Sequence, residues 1–272
     1  MLLFLEALLW GIRFMLGAAL FSFMNVVAWR LPQGKNPLSG RSFCPACGAE
    51  LQAQDLVPVF SWLVLRGRCR RCGAKIAVRY LLAELLGGAL AVGCTLRFGA
   101  GLTLREGLFG MSWLALTALL ACGLLFALAL IDAKTQLLPD SLNLLLALCG
   151  LAGLLLRPAM WASALTGALC VSVPMLLLCL VIPGAFGGGD IKLMAAAGLL
   201  LGWRHTLLAA FLAVLGGGGY GAYLLAKKLA DRKDHFAFGP FLCTGIVIAL
   251  LVGDPILQWY FRFFLTDLLP DL

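Results

Sequence analysis

Residues 108–131 read LFGMSWLALTALLACGLLFALALI, and the run ends on an acid in Leu130-Ile131-Asp132-Ala133-Lys134. An unbroken apolar stretch of this kind is close to the ~20 residues a helix needs to cross the hydrocarbon core of a bilayer. Runs at 160–182 and 205–226 have the same character. Of the 272 residues, 62% are hydrophobic and only 12% charged, and the mean hydropathy is +0.99. A water-soluble domain carries about 25% charge and under half apolar residues. The surplus apolar surface therefore has only lipid to face. The run from about residue 4 to 28 is too long for a secretory signal peptide, has no small-residue cleavage site after it, and is read as a retained span.

Working outward, segments near 4–28, 80–98, 108–131, 141–156, 160–182, 190–202, 205–226 and 238–258 give an all-α polytopic membrane protein of about eight transmembrane helices. The span at 190–202 is short, which suits a tilted, bundle-buried or partly spanning helix. Alternating these spans puts residues 30–79, 132–140, 183–192 and 227–237 on one side. Most of the 21 Lys and Arg residues fall there, among them Arg30, Arg66, Arg68, Arg70, Arg71, Lys134, Lys192, Lys227, Lys228, Arg232 and Lys233. The positive-inside bias makes this side cytoplasmic and both termini periplasmic, in the inner membrane. The net charge of +8 is thus a topology signal with some attraction to anionic lipid, and no nucleic-acid partner is expected. Four glycines, Gly216 to Gly219, lie in the seventh span. No strand precedes them, so they signal close helix packing or a local break rather than a phosphate loop.

Residues 31–79 form the one stretch with the composition of a soluble domain, and it is too short for a large core. Such a segment needs a staple. Cys44-Pro45-Ala46-Cys47-Gly48 and Cys69-Arg70-Arg71-Cys72-Gly73 supply one. A two-residue gap lets both thiolates of a turn face one metal, and the following Gly lets the turn close with N–H groups toward sulfur. Four thiolates make a closed tetrahedral Zn²⁺ site with no open position for water, so the metal is structural. Disulfides are disfavoured on the cytoplasmic side. Cys94, Cys122, Cys149, Cys170, Cys179 and Cys243 lie in apolar runs and read as packing. The division is then residues 1–30 as a first transmembrane helix and 31–79 as a small zinc-ribbon-like cytoplasmic domain. Residues 80–258 form a transmembrane core and 259–272 a tail.

Charged groups at the edge of a span are costly and usually functional. Of 13 Asp and Glu residues, Glu6, Glu50, Asp55, Glu106, Asp231, Asp234, Asp254, Asp267 and Asp271 fall in loops or near the chain ends. Glu84, Asp132, Asp140 and Asp190 remain. Asp132 ends one apolar run, where an acid opposes the helix dipole. Asp190 follows Gly187-Gly188-Gly189 and opens another. The topology puts both at the cytoplasmic surface. Two carboxylates brought together cannot both ionise cheaply, so one holds a proton. The ionised partner can then take a proton from water while the protonated one polarises a scissile carbonyl. Asp190, at a helix N-terminus, is favoured as the ionised member. Its bland alternative is a simple N-cap, and capping is the preferred reading of Asp140 after Pro139. Glu84, beneath Arg79 and Tyr80, is either a buried pair or part of a substrate site. His205 and His235 fall on opposite sides, so Ser–His catalysis lacks its parts, and no H-E-x-x-H helix is present.

Taken in order, these residues resemble the bacterial type IV prepilin peptidases, which serve type IV pili and type II secretion. The likeness runs through Phe21-Ser22-Phe23-Met24-Asn25-Val26-Val27, Arg30-Leu31-Pro32, both cysteine knuckles, and Asp55-Leu56-Val57-Pro58-Val59-Phe60-Ser61-Trp62-Leu63. It continues in Arg79-Tyr80 with Glu84, Ile131-Asp132 through Leu138-Pro139-Asp140, Gly187-Gly188-Gly189-Asp190-Ile191-Lys192-Leu193, and Phe238-Gly239-Pro240-Phe241. The resemblance implies an aspartyl protease with Asp132 and Asp190 as its catalytic pair. Its substrates would be prepilins or pseudopilins, with a short basic leader, a Gly before the cut and an apolar helix after it. It also implies N-methylation of the new N-terminus from S-adenosylmethionine, although no G-x-G-x-x-G loop is visible. Rival readings are a presenilin-like intramembrane protease and a proton-coupled transporter. The cysteine-rich loop and Phe238-Gly239-Pro240-Phe241 speak against the first. The second often shows two inverted halves, and no such symmetry is detected.

Overall fold

The apolar runs named above are helical over most of their length, because a backbone in lipid must satisfy its own hydrogen bonds. The computed structural model describes residues 2–182, 184–227 and 237–268, with side chains between residues 4 and 263. Lys228, Asp231, Arg232, Lys233, Asp234, His235 and Asp271 lie outside the described residues. The helices are α1 (Leu2–Arg30), α2 (Phe60–Val64), α3 (Val78–Phe98), α4 (Trp113–Thr135) and α5 (Asp140–Leu156), followed by α6 (Trp161–Cys170), α7 (Ser172–Val181), α8 (Gly188–Leu201), α9 (Trp203–Ala226) and α10 (Gly239–Leu268). Six stretches among the described residues are long and apolar enough to cross a membrane: Phe4–Gln33, Val78–Phe98, Trp113–Thr135, Pro158–Val181, Trp203–Ala226 and Gly239–Phe263. Two further expected spans, Asp140–Leu156 and Gly188–Leu201, are apolar but shorter, with 17 and 14 residues.

Local chemistry moves several boundaries. The span expected to start at residue 108 starts at Trp113, because Gly107–Leu108 and Met111–Ser112 pair as a two-stranded hairpin. Phe109 and Gly110 between them have φ of 54° and 75°, the positive pair that a tight two-residue hairpin turn requires. The span at 160–182 is two helices joined at Val171, since Pro174 has no N–H for the carbonyl of Cys170. Asp254 lies inside α10, and that helix continues past residue 258, where the expected span ended, with a kink at Val252 near Pro255. The four glycines do not break α9; Gly216 and Gly217 receive the rings of Phe238 and Phe241.

The chain divides into two compact units, Met1–Ile131 and Asp132–Leu272. In the first, α1 and α3 pack antiparallel with almost no space between them. A Cβ on Gly17 would run into the Gly87 carbonyl, and one on Gly88 into the Phe14 ring. Residues 31–79 are tied to both helices. Arg30, buried at the end of α1, donates to the carbonyls of Ser39 at 2.5 Å and Arg41 at 3.1 Å. Glu84, in the second turn of α3, accepts from Ser22 Oγ at 2.8 Å and from the Val59 N–H at 2.7 Å. Glu84 is thus a tether between helix and loop.

In the second unit α8 is central, packed by α5, α6, α7, α9 and α10. That is how so short a helix is accommodated: its Leu193, Met194, Ala196, Ala197, Gly198 and Leu201 are buried in protein. Gly167 of α6 and Gly198 of α8 touch backbone to backbone, as small residues allow where lipid offers no hydrophobic drive. On the far side of α5, Leu144, Leu148, Leu151 and Leu155 form an exposed helical stripe, suited to lipid.

Candidate active site

Asp132 and Asp190 both belong to the second unit. Asp132 sits in the last turn of α4 and is only 5% exposed. Its Oδ2 accepts the N–H of Gly239 at 2.9 Å. Gly239 opens α10, so that N–H is one of the donors a helix start leaves unpaired. Asp132 therefore lies at the C-terminus of its own helix and at the N-terminus of another, which offsets the unfavourable dipole expected from sequence. A Cβ on residue 239 would stand 2.6 Å from Asp132 Oδ2, so only glycine lets the backbone come this close. The rest of Phe238-Gly239-Pro240-Phe241 serves the same junction. Pro240 sits in the first helical turn, where its missing N–H costs nothing. Phe238 and Phe241 fill the space left by Gly216 and Gly217.

Asp190 is partly buried at the third position of α8, whose N-cap is Gly187. It is not the cap itself. Its Oδ2 reaches back to the Gly187 N–H at 3.3 Å. Asp132 lies close enough for its charge to act on Asp190, and Cys243, one turn into α10, lies in the field of both. One buried and one partly buried carboxylate, each accepting a single N–H, leave oxygens for water and substrate. Such a pair can share a proton and activate water.

The neighbouring residues were harder to read from sequence. Asp140 makes no capping bond; both its oxygens bind Lys192 Nζ at 2.8 Å. This exposed bridge contributes little energy. It does set the start of α5 beside the start of α8, where Leu138 also lies against Gly189. Nothing in the local sequence pairs residue 140 with 192. His205 is bound by Asp254 at 2.9 Å and abuts Gly253, toward the other end of α9 and α10 from the Gly239 junction. A cavity of about 710 Å³ lies there, lined by Arg204, Asp254, Gln258, Trp259 and Arg262 among others, and neither Asp132 nor Asp190 lines it.

In the first unit the four cysteines come together as their spacing predicts. The sulfurs of Cys44, Cys47, Cys69 and Cys72 all lie within 4.8 Å of one another. Cys44 Sγ and Cys72 Sγ are 3.8 Å apart. A tetrahedral site with metal–sulfur bonds of about 2.3 Å has edges of roughly 3.8 Å, so the donor set fits a metal ion. The two knuckles repeat one design. The N–H groups of Gly48 and Gly73 each return to the first cysteine's carbonyl at 2.9 Å, with φ near the left-handed 68° and 70°. The Phe43–Glu50 and Arg68–Lys75 bridges close them. Within the cluster, backbone N–H groups of Cys72 and Arg71 bring the Cys69 thiol down to about 7, while desolvation and the neighbouring thiols raise Cys72 to about 11.

Residues 15–98 match the bacterial peptidase A24 N-terminal domain and residues 119–222 match the type IV leader peptidase family. The first match contains the four cysteines and Glu84, the second Asp132, Asp140 and Asp190. Among curated relatives, the prepilin leader peptidase/N-methyltransferase of Bacillus subtilis (strain 168) is 32% identical over 253 residues, covering 93% of this chain and 98% of its own. The Aeromonas hydrophila protein of that name is 34% identical, covering 95% and 96%. The one from Burkholderia pseudomallei (strain 1026b) is 38% identical, covering 83% and 71%. No solved structure matches the chain. With its apolar helices and these relatives the chain is a multi-pass membrane protein, and it belongs to the type IV leader peptidase family.

Proposed function

We propose that this protein cleaves the leader from type IV prepilins or type II secretion pseudopilins at the cytoplasmic face of the inner membrane, with Asp132 and Asp190 as the catalytic pair. What supports the reading is that Asp132, 58 positions earlier in the chain, lies near enough for its charge to act on Asp190, in a chain of the type IV leader peptidase family. Water held between them loses a proton to the ionised carboxylate as its oxygen bonds to the scissile carbonyl carbon. The protonated carboxylate donates a hydrogen bond to the carbonyl oxygen, which takes up negative charge. As the C–N bond breaks, the proton taken from water passes to the leaving amine. The Gly239 and Gly187 N–H groups hold the two carboxylates in register throughout.

Family membership supports a second reaction, transfer of a methyl group from S-adenosylmethionine as co-substrate to the new N-terminal amine. The four cysteines would hold Zn²⁺ as a structural ion; bound there it cross-links the two knuckles and, with no open position, takes no part in cleavage. Membrane lipid is the expected surround and nucleic acid has no part.

The test is to mix membranes carrying the protein with a prepilin and follow its mobility on a gel. Wild type should convert the prepilin to the smaller mature form, and Asp190→Asn should leave it unconverted. Full conversion by Asp190→Asn refutes the mechanism.

A further inference from the structure

Residues 56–65 read LVPVFSWLVL, an uncharged run between Asp55 and Arg66. They lie in the one stretch whose overall composition suits water, yet Leu56, Val57, Phe60, Leu63 and Val64 are all exposed, the last three by more than half. Single exposed apolar side chains are ordinary, but so many within one short segment mark a surface made to be covered.

Hydrogen bonds fix where the segment lies. The Val59 N–H is held by one oxygen of Glu84 on α3, and the other oxygen is held by Ser22 of α1. Trp29 and Tyr80, both exposed, stand near the ends of these two antiparallel helices on one side, where an aromatic belt meets the membrane surface. Counting along the helices from Tyr80 to Glu84 and from Trp29 to Ser22 takes the tether roughly 6 and 10 Å further into the span. The Val59 turn is therefore below the belt, at the depth of the exposed Leu82, Leu85 and Leu86 of α3.

The backbone suits that depth. The N–H groups of Leu56, Phe60, Ser61, Leu63 and Leu65 all bond to carbonyls within residues 53–61, and that of Val59 to Glu84. Pro58 brings no donor at all. A loop in water needs no such closure, whereas a backbone out of water must pair its own groups. Charge gathers at the margins of the run. Asp55 is tied to Arg70 at 2.7 Å, and Arg66, Arg68 and Arg79 are exposed, with stems long enough to reach phosphate headgroups.

We propose that residues 56–65 dip into the cytoplasmic leaflet and bury their exposed apolar side chains among lipid acyl chains, anchoring the cysteine-knuckle domain to the bilayer. The depth of roughly 6–10 Å is that of an interfacial anchor. Residues 31–79 are then partly embedded, and Glu84 accepts an N–H that lipid would leave unpaired. The inference goes beyond the cleavage reading and does not depend on its chemistry.

The experiment places the photo-crosslinker p-benzoylphenylalanine at position 60 or 64 of the full-length protein, in vesicles of phosphatidylethanolamine and phosphatidylglycerol. Positions 86 and 38 serve as the lipid and water references. After irradiation, mass spectrometry should find lipid adducts at 60 and 64 at the yield seen at 86, and none at 38. Adducts absent at 60 and 64 would mean a water-facing patch and overturn the proposal. So would crosslinks from 60 and 64 into residues 132–272, which would mean that the chain's other half covers it. A second measurement reads the anchor itself. Phe60→Ser with Leu63→Ser should speed proteolysis within residues 31–79 in the same vesicles by about 10-fold or more, the equivalent of one buried apolar side chain. An unchanged rate would show that the patch anchors nothing.

Discussion

At Asp132 the oxygen that accepts the Gly239 N–H stands where residue 239 has no room for a Cβ. Gly239→Ala must therefore push the carboxylate or the start of α10 aside. A displacement near 1 Å at reacting groups can cost about 100-fold in rate. We expect Gly239→Ala to lower kcat by roughly 10–100-fold while the protein still inserts, measured by prepilin turnover at matched membrane levels; wild-type turnover would show that the contact does not position Asp132. Asp132→Asn keeps an oxygen for the same N–H and so removes charge without removing the junction. The two acids proposed as the pair stand out in the sequence as acids at the ends of apolar runs. Their supports do not. Gly239 lies 107 residues from Asp132, and Asp140 bonds Lys192 across 52. Such pairings are products of helix packing and leave no local pattern.

Among the elements, the cysteine knuckles were legible because their chemistry is local: spacing, a closing glycine and a turn fix the geometry. Cys44→Ser together with Cys47→Ser should abolish bound metal and open residues 31–79 to protease, where wild type should carry about one zinc per chain by metal analysis. Wild type without zinc would overturn the assignment. The Glu84 tether was not legible, since the choice between a buried pair and a substrate site turns on what lies opposite. It faces the N–H of Val59, a β-branched residue held at φ 65° with the Phe60 N–H bonded to the Pro58 carbonyl, a strained tight turn. Glu84→Ala removes the acceptor and should cost about 1.5–3 kcal/mol. The cost should appear as faster proteolysis within residues 31–79, with Glu84→Gln intermediate. Helix boundaries failed for equally local reasons, at the Phe109–Gly110 turn and at Pro174.

For the whole molecule, composition alone identified a lipid-embedded helical protein, because 62% apolar residues exceed what any water-facing fold of this length can bury. The number of crossings is less legible. Asp140–Leu156 and Gly188–Leu201 are short, and α8 is surrounded by protein rather than lipid. The alternating topology makes a definite forecast. A cysteine introduced at Lys134 or Lys35 should react with a membrane-impermeant thiol reagent only from the cytoplasm, and one at Leu102 only from the periplasm. Labelling in the opposite sense would invert the assignment and move the cleavage site to the other face.

The most direct measurement of the central claim compares single-turnover cleavage by Asp132→Asn, Asp190→Asn and the double variant, each shown by its melting midpoint to be folded. Groups that act as one unit are not additive. Each single change should slow cleavage by about 10³-fold or more, and the double variant should be no slower than either. Near-wild-type cleavage by either single variant, or losses that multiply in the double, would contradict a shared catalytic pair.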